Sequence, residues 1–258
     1  MIPKIIHYCW FGRNPLPPLA IKCIDSWKKY HPDYEIKEWN EDNFDVDIIP
    51  YTSKAYKEKK YAFVSDYARF WILYHYGGLY FDTDVEVIKP LDEIIDRGPF
   101  MGCERDAQPE DTFHDATWGH YLSVNPGLGL GVVPGLDLYK EVLELYDSLS
   151  FVGSNGQINL KTIVEYTTEI LLKHGLKDKS GVQFVAGVYI YPSEYFCPIN
   201  TISKKLHISK NTYTIHHYMA SWTNKNVRWH VKHFIRKLMP EFVLLWYNKA
   251  KKYWLIFE

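Results

Sequence analysis

Two aspartates, Asp82 and Asp84, stand two residues apart at the end of the short apolar run Leu79-Tyr80-Phe81. In an extended chain residues i and i+2 point to one face, so this spacing predicts two carboxylates side by side. Such a pair repels itself unless a cation lies between, and a hard divalent ion with oxygen ligands meets that need. D-x-D triplets are also frequent in solvated turns, so the position of this one matters. Ligands of open α/β sheets gather at the carboxyl ends of strands, and the triplet follows a strand-like run directly. Asp66 and Arg69 are three apart, neighbours on one helical face, within a stretch that is apolar nearly all round (Ala62, Phe63, Val64, Ala68, Phe70, Trp71, Ile72, Leu73). A helix apolar on every side is buried on every side, and buried charges need partners. A structural ion pair tying helix to sheet supplies them. So does a ligand whose phosphates or hydroxyls meet Arg69 and whose sugar hydroxyls meet Asp66. His216 and His217 are a third candidate, because a neutral imidazole completes a shell of carboxylate and phosphate oxygens. Adjacent residues on a strand face opposite ways, so at most one can serve, and His217 is the one favoured. A satisfied structural histidine is the competing reading for both.

The elements that must hold these groups follow from periodicity. Ile5 to Trp10 is an apolar run closed by Gly12 and reads as a buried first strand. Residues 19–30 read as a helix ending at His31-Pro32, and 34–39 alternate as a second strand. This β-α-β order predicts a mostly parallel sheet with helices on its faces. Ser53 is the expected cap of one long helix reaching Tyr76, stopped by Gly77-Gly78. Strand-like 79–81 then runs into the acidic triplet and on into 85–88, ended by Pro90. Farther on, 100–103, 128–133, 182–191 and 213–218 read as strands, and 138–149 and 159–174 as helices. Residues 105–121, with His114 and His120, read as a polar loop, and the chain from 226 onward as helical, interrupted by Pro240.

Three runs taken together, Ile2-Pro3-Lys4-Ile5-Ile6-His7-Tyr8-Cys9-Trp10-Phe11-Gly12, Ser65-Asp66-Tyr67-Ala68-Arg69 and Tyr76-Gly77-Gly78-Leu79-Tyr80-Phe81-Asp82-Thr83-Asp84, resemble glycosyltransferase family 32. That family holds DXD-containing sugar-binding regions, capsular polysaccharide synthesis enzymes and initiating mannosyltransferases, and is similar to the glucosyltransferase domain of the large clostridial toxins. A late Ser221-Trp222 fits the same pattern. The resemblance implies a GT-A type, Rossmann-like nucleotide-sugar-binding fold with a mostly parallel central sheet flanked by helices. It implies a retaining transfer of a hexose, galactose or glucose from a UDP-sugar before mannose from GDP-mannose, with Mn2+ or Mg2+. Carried over, Trp10 stacks on the donor base with backbone contacts from Cys9. Asp66 and Arg69 hold the donor sugar, and Tyr80 lines its pocket. Asp82 contacts ribose or sugar and reaches the metal through water, Asp84 binds the metal directly, and Ser221 and Trp222 close over the pyrophosphate. Asn125, in an Asn-Pro turn, is a candidate contact to donor or acceptor sugar. The acceptor implied is a glycan or a lipid-linked saccharide in polysaccharide (capsule) synthesis.

Composition bounds the alternatives. With 258 residues the chain can form one large α/β domain; 1–225 is expected to be catalytic, with 226–258 a helical extension. A net charge of −1 offers no field for nucleic acid, which disfavours a nuclease. Paired aspartates also serve metal-dependent phosphoesterases, but those gather more carboxylates and histidines near the first pair. A sugar-binding module without turnover remains the other rival. The four cysteines, Cys9, Cys23, Cys103 and Cys197, form no C-x-x-C pair, as expected of a reducing compartment. No secretory leader or spanning run is visible, so a cytoplasmic location is expected. Arg228, Lys232, Lys237 and Lys249 interleave with Trp229, Phe234, Trp246 and Trp254, a pattern that fits a helix resting on anionic lipid or one packed on protein. The first of these would place the chain peripherally on the inner face of the cell membrane.

Overall fold

Alternation of apolar residues in the first forty positions builds the expected β-α-β unit. A computed structural model describes residues 1–106, 122–153, 156–200 and 205–219. The chain begins with β1 (Ile5–Cys9), α1 (Pro18–Tyr30) and β2 (Glu35–Trp39), then α2 (Pro50–Lys57), α3 (Tyr61–Tyr76), β3 (Gly78–Tyr80) and β4 (Val85–Val87). It continues with α4 (Asp92–Arg97), β5 (Phe100–Arg105), β6 (Ser123–Val124), β7 (Leu130–Val132), α5 (Asp137–Ser148) and α6 (Ile163–Lys173). A hairpin of β8 (Gln183–Val185) and β9 (Val188–Tyr191) precedes α7 (Ser193–Phe196) and β10 (Thr214–His216).

The main sheet has the order β2-β1-β3-β7-β5-β9-β8, with β6 alongside β5. β1 runs parallel to β2 and β3, and β5 parallel to β9, while β7 is antiparallel to both β3 and β5. Hence β2, β1, β3, β5 and β9 share one direction, and β7 returns between them. The carboxyl ends of β1, β3 and β5 therefore lie along one edge. A separate two-stranded sheet pairs β10 with β4, His216 opposite Val85.

Both faces of the sheet are covered. On one, α2, α3, α5 and α6 pack Phe63, Phe70, Tyr139 and Tyr146 against the strands. On the other, α1 buries Ala20, Cys23, Ile24 and Trp27, the i, i+3, i+4, i+7 set of an amphipathic helix. The Trp27 ring lies 5.5 Å from Phe81, and its Nε1 donates to the carbonyl of Val85 at 2.7 Å. This pins α1 to the start of β4, immediately past the acidic triplet. Among the described residues no helix is long and apolar enough to cross a membrane.

The single helix expected from Ser53 to Tyr76 is two. Pro50 opens α2 at its first turn, where a missing N–H costs nothing, so Ser53 lies inside α2 instead of capping it. Lys59 adopts a left-handed φ of 56°, and the Lys60 amide closes back on the Ala55 carbonyl at 2.8 Å, ending that helix. The second stop is as expected: Gly77, at φ 64°, caps α3. Gly78 follows at φ 96°, and a Cβ there would lie 2.7 Å from the Ile5 carbonyl oxygen, so glycine lets β3 close on β1.

His7 is the polar cost of this arrangement. It is fully buried on β1, accepts from Trp39 Nε1 at Nδ1 (3.0 Å), and so carries its proton on Nε2, 3.0 Å from the Gly77 carbonyl. Burial pushes its pKa down to about 4. An unfolded histidine protonates near pH 6.5, so between about 6.5 and 4 the unfolded chain binds the extra proton. Stability is therefore present above this window and is lost as pH falls through it. The His7 contribution to that loss is at most about 3 kcal/mol. Urea unfolding from pH 7 to 4 is expected to show a steeper loss for the wild type than for His7→Gln, and equal slopes would contradict it.

Candidate active site

The acidic triplet is not extended. Asp82-Thr83-Asp84-Val85 forms a turn, with the Val85 amide donating to the Asp82 carbonyl at 3.0 Å. The carboxylates thus meet by a change of chain direction, not by the strand alternation expected. Asp84 is 8% exposed and is wrapped by the segment after β10. Its Oδ2 accepts from the Met219 amide at 2.7 Å, its carbonyl from the His217 amide at 2.9 Å, and its Oδ1 lies 3.2 Å from His216 Nε2.

The histidine candidate needs correction. Asp82, Asp84 and His216 offer one ligand atom each, all within 4.8 Å of one another. His217 points away, its Nε2 lying 2.8 Å from Glu86 Oε2, which also accepts from Lys22 Nζ at 2.8 Å. Strand alternation does separate the two imidazoles, but the register of β10 on β4 chooses the other one. Two carboxylates and an imidazole gathered this closely can hold a divalent cation.

His216 and Asp84 form a buried ion pair at the site. Burial pushes the Asp84 carboxyl up, but the His216 charge, its hydrogen bond and the Met219 amide outweigh this and hold it at about 2. The same pairing raises His216 well above an ordinary histidine despite burial. A bound cation would take the place of that imidazolium proton. Asp82 is raised, by burial first and by Asp84, with Arg69 opposing.

Arg69 joins the two halves of the site. It is 3% exposed; Nη2 lies 2.9 Å from Asp66 Oδ1 and 3.2 Å from Asp82 Oδ1. Its guanidinium stands 5.0 Å from the centre of the Tyr80 ring, and the Tyr80 hydroxyl donates to Asp82 Oδ1 at 3.0 Å. Burial raises Asp66 to about 7 even against Arg69. Asp66, Arg69, Tyr80, Asp82 and Asp84 are therefore one contiguous polar group. The Cys9 thiol, pushed up to about 12 by burial, borders it through Arg69 and Tyr80. Trp10 follows β1 at the same sheet edge, half-buried, its Nε1 donating to the Asn14 carbonyl at 2.6 Å.

Asn125 is buried beside this group and shapes a turn. Its Oδ1 accepts from the Gly127 amide at 2.7 Å, and its Nδ2 donates to Glu104 Oε2 at 2.8 Å. Gly127 is a site residue that sequence reasoning missed. A Cβ there would lie 2.1 Å from Asp82 Oδ2, and the Gly127 carbonyl accepts from the Asp82 amide at 3.1 Å. The Asn-Pro-Gly triplet signals a turn, but nothing local says what the turn touches. Gly127→Ala is expected to displace the Asp82 carboxylate and weaken Mn2+ binding about 10–100-fold. Titration of free Mn2+ by electron paramagnetic resonance measures this, and an unchanged affinity would detach Gly127 from the site. Ser221 and Trp222, the loop residues 107–121 and the extension 226–258 lie outside the described residues.

Residues 17–101 match the family described as glycosyltransferase sugar-binding region containing DXD motif. Inositol phosphoceramide mannosyltransferase 1 of Schizosaccharomyces pombe is 30% identical over 111 residues, 39% of this chain and 33% of that protein. Mannosyl phosphorylinositol ceramide synthase SUR1 of Saccharomyces cerevisiae is 31% identical over 180 residues, 63% of this chain and 42% of that protein. The matches thus span about a third to two-fifths of the length of these curated relatives. Among solved structures, PaToxG glycosyltransferase superposes with a TM-score of 0.45 at 20% identity, covering 67% of this chain and 69% of that one.

Proposed function

We propose, from the match of residues 17–101 to the glycosyltransferase sugar-binding region containing a DXD motif, that this chain transfers a hexose from a nucleotide sugar to a hydroxyl of a glycan or lipid-linked saccharide. The observation that carries the proposal is the convergence of Asp82, Asp84 and His216, with Arg69 bridging Asp82 to Asp66. Two carboxylates and an imidazole hold a divalent cation, and that cation, when bound, stabilises the negative charge of a departing nucleoside diphosphate. Asp82, Asp84 and His216 fix its place. Arg69 aligns Asp82 and adds positive charge facing the phosphates. Asp66, kept partly protonated by burial, is suited to bonding sugar hydroxyls as donor or acceptor. Trp10, Cys9, Tyr80 and Asn125 are assigned to the donor, Ser221 and Trp222 to closure over the pyrophosphate, and residues 1–225 to the catalytic domain.

Transfer proceeds on one face of the sugar. The bond from the anomeric carbon to the diphosphate oxygen breaks, the acceptor oxygen bonds to that carbon on the same side, and the acceptor proton passes to the leaving phosphate oxygen. The anomeric configuration is retained without a glycosyl-enzyme bond. The test is hydrolysis and transfer with UDP-glucose, UDP-galactose and GDP-mannose in the presence of Mn2+, with product configuration read by nuclear magnetic resonance. Turnover of one donor with retention supports the proposal; no turnover of any donor, or a sugar trapped on a carboxylate, contradicts it.

A mannosyl reading has its own support. One relative above is named as an inositol phosphoceramide mannosyltransferase and the other as a mannosyl phosphorylinositol ceramide synthase, which brings GDP-mannose and a lipid acceptor forward alongside the UDP-hexoses. A lipid acceptor brings the reaction to a membrane surface. The basic and aromatic residues of 226–258 suit a peripheral contact there. Loss of anionic-liposome binding on truncation after Pro240 tests this, and undiminished binding rejects it.

A further inference from the structure

We infer that Glu104 is a positioning residue whose one carboxylate holds both arms of the metal-binding pocket, the Asn125–Gly127 turn against Asp82 and the segment after β10 against Asp84. This rests on the proposed metal site and adds to it a residue that neither family motif nor strand periodicity marks. Glu104 stands near the carboxyl end of β5, at the sheet edge where β3 delivers the acidic triplet. It is half-buried, and a carboxylate taken partly out of water needs donors.

Its donors come from the pocket walls. On one side Asn125 Nδ2 donates to Glu104 Oε2 at 2.8 Å. Asn125 in turn holds the Gly127 amide at 2.7 Å, and Gly127 fits so closely under Asp82 that a Cβ there would displace the carboxylate. On the other side Tyr218 stands close enough to Glu104 for the carboxylate charge to act on its hydroxyl. That hydroxyl also lies 2.9 Å from Cys197 Sγ, and the Tyr218 ring sits 4.2 Å from the His216 ring. Tyr218 has a left-handed φ of 51°, a backbone state a tyrosine adopts only when its surroundings require it. The strand that presents Glu104 is anchored just past its end: Asp106 accepts from the Ser193 amide at 2.7 Å and from its hydroxyl at 2.6 Å. A fixed strand thus offers one acceptor to two segments far apart in sequence. Each segment presses on a different metal ligand. Groups that orient ligands from behind commonly change metal affinity about 10–100-fold when removed.

The test uses the full chain and Mn2+ alone, followed by donor hydrolysis. Glu104→Ala is expected to weaken Mn2+ binding about 10–100-fold and to lower kcat more than it raises the donor KM. Glu104→Gln, whose carbonyl still accepts from Asn125, is expected to recover most of the affinity, which a role through charge or chemistry would not allow. Tyr218→Phe keeps the ring and removes one donor, so it is expected to weaken Mn2+ binding in the same direction by a smaller factor, and it serves where Glu104→Ala does not fold. Wild-type affinity in Glu104→Ala, a Gln variant as impaired as Ala, or an unaffected Tyr218→Phe overturns the inference. Failure of the wild type itself to bind Mn2+ overturns the metal site beneath it, and that result is distinct from the others.

Discussion

Asp84→Asn is expected to lower Mn2+-dependent donor turnover about a thousandfold, or about 4 kcal/mol of barrier, while the chain still folds. The asymmetry between function and fold follows from what each Asp84 atom does. Its Oδ2 accepts from the Met219 amide and its backbone carbonyl from the His217 amide, and an asparagine in the same pose keeps the first bond through its amide oxygen and the second through the unchanged main chain. What is lost is the charge. Oδ1 faces His216 at 3.2 Å, and an amide nitrogen there is a donor where a cation needs an acceptor. Circular dichroism and thermal melting check the fold, and initial rates against Mn2+ concentration check the site. His216→Ala is expected to weaken Mn2+ binding, and His217→Ala to leave it unchanged, because His217 is engaged with Glu86. Full activity in Asp84→Asn, insensitive to a chelator, would remove the site from the reaction.

Features carried by neighbours in the chain were legible in the sequence, and features carried by register were not. Asp66 and Arg69 at helical spacing and the Gly77-Gly78 stop are local patterns, and each stands where its spacing implies. The turn geometry of Asp82-Thr83-Asp84 was hidden because an apolar strand running into the triplet reads as extended, and the Gly127 carbonyl that bonds the Asp82 amide lies over forty residues on. Choosing between His216 and His217 needs the pairing of β10 with β4, a contact that no periodicity encodes. The break between α2 and α3 turns on one left-handed residue, Lys59, whose side chain has no preference for that conformation. Glu104 reads as an ordinary strand-end glutamate until Asn125 and Tyr218 are placed around it.

Arg69→Ala is expected to destabilise the fold by about 3–5 kcal/mol, because it leaves the buried Asp66 and the half-buried Asp82 carboxylates without their cation. For a chain of this size that lowers Tm by about 10 °C. Asp66 and Asp82 both lean on the same guanidinium nitrogen, at 2.9 and 3.2 Å. Arg69 is the group that draws the Asp66 carboxyl down against burial, which holds it at about 7 even so. Without Arg69 that value rises further. A carboxyl whose folded pKa exceeds its unfolded one binds more protons in the fold, so stability falls as pH rises through the interval. The variant is therefore expected to lose more against the wild type at pH 8 than at pH 5, measured by urea unfolding at each pH. An equal loss at the two pH values would mean that packing of the arginine stem, not charge, carries the effect. The double variant Arg69→Met with Asp66→Asn removes cation and carboxylate together and is expected to regain most of the stability, since a paired charge replaced by neutral groups of similar volume costs little. Activity is not expected to return with it. Asp82 would then hold its place by Tyr80 alone, and the positive charge facing the phosphates would be gone. Recovery of stability without recovery of turnover would separate the two tasks of Arg69, and recovery of both would leave it with the structural one only.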